Sequence, residues 1–240
     1  MSSAKEIRLR PIPSKVARPF VAQHHYSGKV VNNSSLHLGV FLHGRLGGVM
    51  SFGPPLDKRK IQGLVRGTPW NGLLELNRMA FSEYLPRNSE SRALGVAMRL
   101  LRAQYPALRF VVSFADATQC GDGAIYRASG FVLTGIKDSM NLARLPDGSV
   151  VHKMTLESTP TARRPELGGR SYYDVTGGRF RWKDYVRAAG AEVLVGHQLR
   201  YMRFLDPSAQ ADLKVPIVPF SELAVRGISM YKGEARADEA

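Results

Sequence analysis

Residues 89–131 read SESRALGVAMRLLRAQYPALRFVVSFADATQCGDGAIYRASGF, and the fold turns on this stretch. Leu94, Ala97, Met98 and Leu101 recur at i, i+3, i+4 and i+7. That spacing predicts an amphipathic helix over Ser89–Tyr105, with Ser89 and Glu90 as start signals and Pro106 as the stop. Arg109–Phe114 (RFVVSF) is rich in β-branched and aromatic residues and reads as a strand. A polar corner, Ala115–Cys120, leads into a short helix over Asp122–Ser129 that Gly130 terminates. Phe131–Ile136 is again strand-like. Helix, strand, short helix, strand is a mixed α/β order.

Working outward, Glu6–Ile12 is strand-like and Ser14–Tyr26 reads as a helix with Val16, Phe20 and Val21 near one face. Leu36–His43 and Arg45–Phe52 form a hairpin turned at His43-Gly44-Arg45. Leu56–Pro69 is basic and fits no single class, and Leu73–Phe81 suits a strand. From Thr159 to Gly190 the pattern breaks, with prolines and paired glycines alternating with arginines and with Tyr172, Tyr173, Phe180, Trp182 and Tyr185. Regular alternation resumes at His197–Leu205. The expected organisation is a core over 1–158, a basic irregular insertion over 159–192, a final core strand over 193–205 and a C-terminal arm over 206–240. The arm is expected to pack on the surface and to fray over its last ten residues.

Of 240 residues, 44% are hydrophobic and 22% charged, which excludes wholesale disorder and fibrous classes. The single cysteine, Cys120, excludes an internal disulfide and a CxxC zinc framework. No apolar run approaches the roughly 20 residues of a membrane helix, and the start MSSAKEIRLRPIPSKVARPF lacks the apolar stretch of a signal peptide. No membrane partner is expected, and the cytoplasm is the expected location. The formal charge is +14, from 34 Lys and Arg against 20 Asp and Glu. Residues 1–157 carry +11, 158–205 carry +5 and 206–240 carry −2. An excess of this size points to a polyanionic partner, nucleic acid first, because each neutralised phosphate releases counterions.

Two local patterns point to a family. Arg92-Ala93-Leu94-Gly95-Val96-Ala97 fits [Q/R]-x-x-G-x-[G/A], and Tyr126-Arg-Ala-Ser-Gly-Phe131 fits Y-x-x-x-G-F about 30 residues on. Together they resemble the acyl-CoA-binding core of the GNAT acyltransferases. The resemblance implies an α/β, GNAT-like mixed and mostly antiparallel sheet flanked by helices. It also implies an acetyl-CoA or related acyl-CoA donor held near Arg92, Ala93, Gly95 and Ala97. Small residues at a helix start let backbone N–H groups approach a pyrophosphate; the same Gly95 and Ala97 also suit close helix packing. A second set is similar to the Mom DNA-modification proteins of Mu-like phages: His24-His25-Tyr26, Ser113-Phe-Ala-Asp116, Gly123-Ala-Ile-Tyr126 and HQLRYMRFL. That family resemblance implies conversion of adenine N6 in double-stranded DNA to a carbamoylmethyl (acetamido) group, protecting phage DNA from host restriction inside the bacterial cytoplasm. It also implies a GNAT-type pocket and iron.

The chemistry assigns roles with alternatives. Asp116, at the C-terminal end of its strand, either takes the N6 proton or caps the next turn through the amides of Thr118 or Gln119. Tyr126 either donates a proton to a leaving thiolate or is a structural tyrosine. His25 and Tyr26 end the first helix, and the family match makes them catalytic; a one-residue slip would put His24 in that place. His25, Tyr26 and Asp116 are the candidate iron ligands, without an HExxH-type spacing to support them. Trp70, Tyr84, Tyr172 and Trp182 are the aromatics available to stack on an extruded base. Arg163, Arg164, Arg170, Arg179, Arg181 and Lys183 read as a DNA clamp or as a solvated charged loop, with Arg59, Lys60 and Arg66 as further phosphate contacts. The competing functions are an N-acetyltransferase of a protein or small amine, and a DNA-binding module on an inactive scaffold. Ordinary acyl transfer bonds nitrogen to a carbonyl carbon, whereas carbamoylmethylation bonds it to a methylene, so this fold alone does not account for that product.

Overall fold

Alternating apolar residues in the N-terminal third build an antiparallel meander of β1 (Arg8–Pro11), β2 (Leu36–Leu42), β3 (Arg45–Gly53) and β4 (Leu73–Phe81). The hairpin between β2 and β3 turns at His43 and Gly44, both at positive φ (49° and 80°), the two-residue geometry that matches strand twist. β5 (Phe110–Asp116) lies parallel to β4. With β6 (Val132–Arg144), β7 (Val150–His152) and β8 (Glu192–Phe204), the strands follow in the order β1-β2-β3-β4-β5-β8-β6-β7. The structure is a computed structural model that describes residues 3–117 and 121–228, and the backbone of 230–231 and 234–235. Two compact units make it up: Met1–Ala115, Cys120–Ile136 and Leu199–Ala240, and Asp116–Gln119 with Lys137–Gln198. Among the described residues no helix is long and apolar enough to cross a membrane. The mixed α/β, mostly antiparallel sheet is the expected class.

In the first unit β4 carries an irregularity that positions everything near it. Ser51 pairs with Arg78 and Phe52 with Leu76, so Asn77 is an extra residue, a β-bulge. Next to the bulge the parallel ladder to β5 stops: Leu73, Leu74 and Glu75 pair with Phe110, Val111 and Val112, and no later pair forms. The link beyond is a side chain, the Ser113 hydroxyl donating to the Leu76 carbonyl at 3.3 Å. Gly53 faces the bulge, and a Cβ there would meet Asn33 O at 2.5 Å, Asn77 Oδ1 at 2.7 Å and Ser34 Cα at 2.9 Å.

The helix α1 (Ser14–His24) covers β3 and β4 through Ala17 and Val21, which pack with Val49 and Ala80. It stops two residues earlier than expected, and Val16 is 41% exposed rather than on the buried stripe, because Ala17 and Val21 at i, i+4 define that stripe. After α2 (Lys58–Gln62), α3 (Ser89–Gln104) buries Ala93, Leu94, Ala97, Met98 and Leu101, as its periodicity predicts. α4 is shorter than predicted, Ala124–Ala128, because Gly123 enters at φ 71°. Just before that N-cap glycine, the Asp122 carboxylate accepts from Ala124 N at 3.0 Å, an Asx-type turn. Arg109 ties down the start of the C-terminal arm, bonding Asp206 at 3.2 Å and Asp212 at 2.7 Å. Val218 N then donates to the Leu133 carbonyl at 2.8 Å. Cys120, the Thr118 and Gln119 capping amides, and residues 232–233 and 236–240 of the arm fall outside the described residues, whereas Met230–Tyr231 and Glu234–Ala235, where fraying is expected, pair as two short antiparallel strands.

The second unit corrects one expectation. The segment 159–192 leads into β8, but it is not irregular. It forms a 3-10 turn (Pro165–Leu167), α6 (Tyr172–Thr176) and α7 (Trp182–Ala188), preceded by α5 (Lys153–Ser158). Tyr172, Tyr185, Leu145, Leu156, Leu167 and Ala189 make a core of their own. A Ser171–Asp174 capping box starts α6 and left-handed Gly177 ends it.

Gly53→Ala is expected to lower stability by about 1–3 kcal/mol, because the methyl meets backbone on one side and the bulge on the other. Urea denaturation checks this; an unchanged midpoint would contradict the close approach.

Candidate active site

The bulge makes β4 the hub of a polar set in the first unit. Asn77 is buried, and its Oδ1 accepts from Ser34 Oγ at 3.0 Å. Beside it Glu75 is half-buried, and burial pushes its carboxyl above the usual range, against the opposing pull of a hydrogen bond to Asn77 and the charge of Arg78. Arg78 donates to the carbonyls of Lys29 (3.0 Å) and Asn77 (2.7 Å). Sequence reading missed Glu75, Asn77 and Arg78, and gave Ser113, quoted only within the family motif, no role. The one available signal was three polar residues, Glu75, Asn77 and Arg78, within four positions of an otherwise apolar strand.

His25 feels the charge of Arg78, and Tyr126 is linked to β4 through Ser113. Burial, helped by the charge of Arg78, lowers His25 to about 4, so its imidazole is neutral at physiological pH. Its Nδ1 accepts from Ser27 N at 3.2 Å and lies 2.8 Å from Ser27 Oγ, which places the ring proton on Nε2. Tyr26 packs against His25 at a tilt, with centroids 4.3 Å apart and planes at 34°, and is 58% exposed. His24 instead packs on Phe20 one turn back in α1. Tyr126 Oη is 2.9 Å from Ser113 Oγ, which also reaches the Leu76 carbonyl. Its ring is stacked on Tyr201 (4.9 Å, 19°) and meets Phe131 edge-on. Tyr201 is locked from below by a 2.5 Å bond to the Asp122 carbonyl, and burial pushes its hydroxyl pKa up. Gly123 is required there, since a Cβ would fall 2.5 Å from the Tyr201 ring. Asp116 is half-buried at the end of β5 and falls in the second unit.

A groove runs along the exposed side of α3. A cleft of about 790 Å³ at its N-terminal half is lined by Lys5, Arg87, Arg92, Gly95 and Arg99. A cleft of about 400 Å³ continues it past Gly95 and Arg99 to Arg102 and Arg203. Arg203 Nη1 donates to the Gly130 carbonyl at 2.8 Å, while its buried Nε has no partner among the described residues. The cap residue Asn88 is left-handed (φ 66°) with no side-chain capping bond, and the helix dipole adds positive potential. The candidate donor residues separate here. Ala93 and Ala97 are fully buried packing residues, whereas Arg92 and Gly95 line the groove. Gly95 is in the second turn of α3, so its N–H belongs to the helix and the residue contributes open space rather than a free donor. A Cβ there would meet only Arg99 Nη1, at 3.9 Å.

Among the basic residues of 159–192, Arg163 and Arg170 donate to the carbonyls of Gly169 and Leu167, and Arg164 bonds Thr159, so these three brace their own turns. Arg179, Arg181 and Lys183 are exposed, as are Arg163 and Arg170, and Arg181 lies 3.8 Å from Asp184. Tyr172 is fully buried and cannot stack on a base, which removes it from the candidates. Trp182 is stacked on Tyr185 (5.6 Å, 10°), while Trp70 and Tyr84 hold Lys58 and Arg45 over their faces. Among the described residues no three His, Cys, Asp or Glu side chains are gathered to hold a metal ion.

A family model described as the Mom protein family matches residues 6–222. The chain is 35% identical over 217 residues to the protein named methylcarbamoylase mom of Escherichia phage Mu, covering 89% of this chain and 82% of that one. Among solved structures it is similar to an IAA acetyltransferase from Bacillus cereus (TM-score 0.45, 10% identity, 82% of this chain and 99% of that one). It is also similar to the ribosomal-protein-S18-alanine N-acetyltransferase from Escherichia coli (TM-score 0.44, 10% identity, 83% and 94%).

Gly95→Ala is expected to stabilise the fold by about 0.5–1 kcal/mol, as in any open helix interior. The same variant should weaken binding of coenzyme A, used as a polyphosphate probe in calorimetry; equal affinity would remove Gly95 from the ligand groove. His25 stays neutral in the folded chain until the pH nears 4, but protonates near 6.5 when unfolded. The unfolded chain therefore takes up the extra proton, and stability falls as pH drops from 7 toward 4, by about 2 kcal/mol at pH 5. Urea melts should show a smaller loss in His25→Gln, and equal losses in the two proteins would contradict the burial.

Proposed function

This chain belongs to the Mom protein family, and we propose that it is a transferase modifying the N6 amino group of adenine in double-stranded DNA with a carbamoylmethyl-type group, using a CoA thioester as donor and protecting DNA from restriction. The similarity to the methylcarbamoylase of phage Mu over 217 residues carries this reading. The order of elements supports a GNAT-type core: an antiparallel meander, a bulge in β4 and a parallel β4–β5 ladder that ends beside it. Strands that part in this way leave backbone N–H and C=O groups facing an extended amide chain such as pantetheine. The cations along α3 suit the phosphates of the same donor.

Adenine N6 is a weak nucleophile, because its lone pair is delocalised into the ring, and it is buried in the base stack. The base is therefore extruded before reaction. Glu75, whose carboxyl is made more basic by burial, accepts the N6 proton as the nitrogen attacks. Neutral His25 donates through Nε2 to an acceptor on the base edge. Tyr126, oriented by Ser113 and Tyr201, returns a proton to the departing thiolate. Attack on a thioester carbonyl by this route gives an N6-acyl adenine. A group joined through its methylene carbon requires a donor with an electrophilic methylene or a second reaction. Arg179, Arg181 and Lys183 supply phosphate contacts on the duplex.

Nucleoside mass spectrometry of plasmid DNA from cells expressing the chain tests the reading. Adenosine heavier by one carbamoylmethyl unit is expected, with about a hundredfold less in folded Glu75→Gln. Unmodified DNA alongside an acetylated protein or small amine would overturn it in favour of an ordinary N-acetyltransferase.

A further inference from the structure

We propose that Phe180 is the side chain that enters the base stack of the substrate duplex and fills the place vacated by the extruded adenine. This rests on the DNA-modifying reading above and gives it a second component, distinct from the groups that handle the base itself. The structure sorts the five aromatics of the basic segment. Tyr172 and Tyr185 are fully buried with centroids 5.7 Å apart, Trp182 lies flat on Tyr185, and Tyr173 is half-buried. Phe180 alone of the five is mostly exposed, at 57%.

Its setting distinguishes it from a stray surface apolar residue. Gly177 and Gly178 precede it, both left-handed (φ 62° and 72°), and a Cβ on either would meet nothing within 4 Å. Neither glycine is required by packing; the backbone path requires them, and that path takes the chain through open space into Phe180. Behind the ring stand Tyr173 (5.6 Å) and Tyr172 (6.4 Å), so the side chain is braced on the unit's own core. On either side are Arg179 and Arg181, with Lys183 two residues on, all exposed. The Arg181 N–H donates to the Arg179 carbonyl at 2.9 Å, which holds the bend centred on Phe180.

A braced apolar ring whose chain neighbours are both exposed arginines, Arg181 lying 3.8 Å from Asp184, fits a polyanion with an apolar interior. Extrusion of one base removes two stacking contacts and leaves a slot the thickness of an aromatic ring. An inserted phenyl restores part of that stacking while flanking cations hold the phosphates, the arrangement used by proteins that wedge apolar side chains into DNA. An apolar protein partner would have to desolvate three cations to reach the same ring.

The test uses the full-length protein and a duplex carrying 2-aminopurine in place of an adenine that mass spectrometry shows to be modified. Wild type is expected to raise 2-aminopurine fluorescence on binding. Phe180→Ala should lose most of that rise at saturating protein, and modify DNA about tenfold more slowly, while keeping the salt slope of duplex binding. Phe180→Leu, which keeps an apolar wedge, should recover part of both. Arg179→Ala/Arg181→Ala should instead weaken binding and flatten the slope. Thermal melting confirms that each variant is folded. Wild-type fluorescence and turnover in folded Phe180→Ala would overturn the proposal while leaving the DNA-modifying reading intact. A wild-type protein that neither binds duplex nor modifies adenine would overturn both.

Discussion

One extra residue in β4 sets the arrangement on which the rest depends. With Asn77 bulged out of the β3 ladder, Glu75 and Arg78 are brought to bear on the same locality, and the parallel pairing with β5 ends at Glu75. A regular β4 would carry its ladder with β5 onward, and Ser113 would lose its place between Tyr126 and the Leu76 carbonyl. The bulge itself is held by contact: Asn77 bonds Ser34, and the glycine at 53 lets the backbone of Asn33 and Ser34 close over it. A local defect in hydrogen bonding is thus stabilised by tertiary packing, the usual relation between bulges and functional sites.

Much of the first unit was legible from periodicity. The helix over 89–104 shows a clear 3.6-residue apolar pattern, and its burial follows that pattern residue by residue. The hairpin at His43-Gly44 was legible because only a few residue types accept positive φ at both turn positions. The bulge was not, since a register shift is a property of two strands and leaves no mark in either alone. Glu75 was passed over for a related reason. In LLELNRMAF the polar residues suit a solvent-facing edge, and only the neighbours that bury Glu75 and Asn77 reveal otherwise.

The basic segment shows the opposite failure. Its prolines and glycines are turn signals, and they do sit in turns, but they separate helices too short for periodicity to register. Its core joins Leu145 and Leu156 to Tyr172 and Tyr185 across long stretches of chain. Interleaved arginines and aromatics gave no hint of which rings were structural. The family resemblance pointed to His25 and Tyr26, which follow α1, and to Tyr126 on α4, linked to β4 through Ser113. It could not say that Asp116 belongs with the other unit, or that Gly95 opens a groove while Ala97 fills a core.

The account stands or falls on whether the parting of β4 and β5 receives a thioester donor. A crystal structure of the protein with coenzyme A bound tests this most directly. The account predicts the pantetheine arm between the two strands beside Leu76 and Ser113, its thiol approaching Tyr126, and its phosphates along the arginine-lined side of α3. Coenzyme A bound away from β4, with the hydrocarbon of neighbouring side chains packed between the strands, would contradict it.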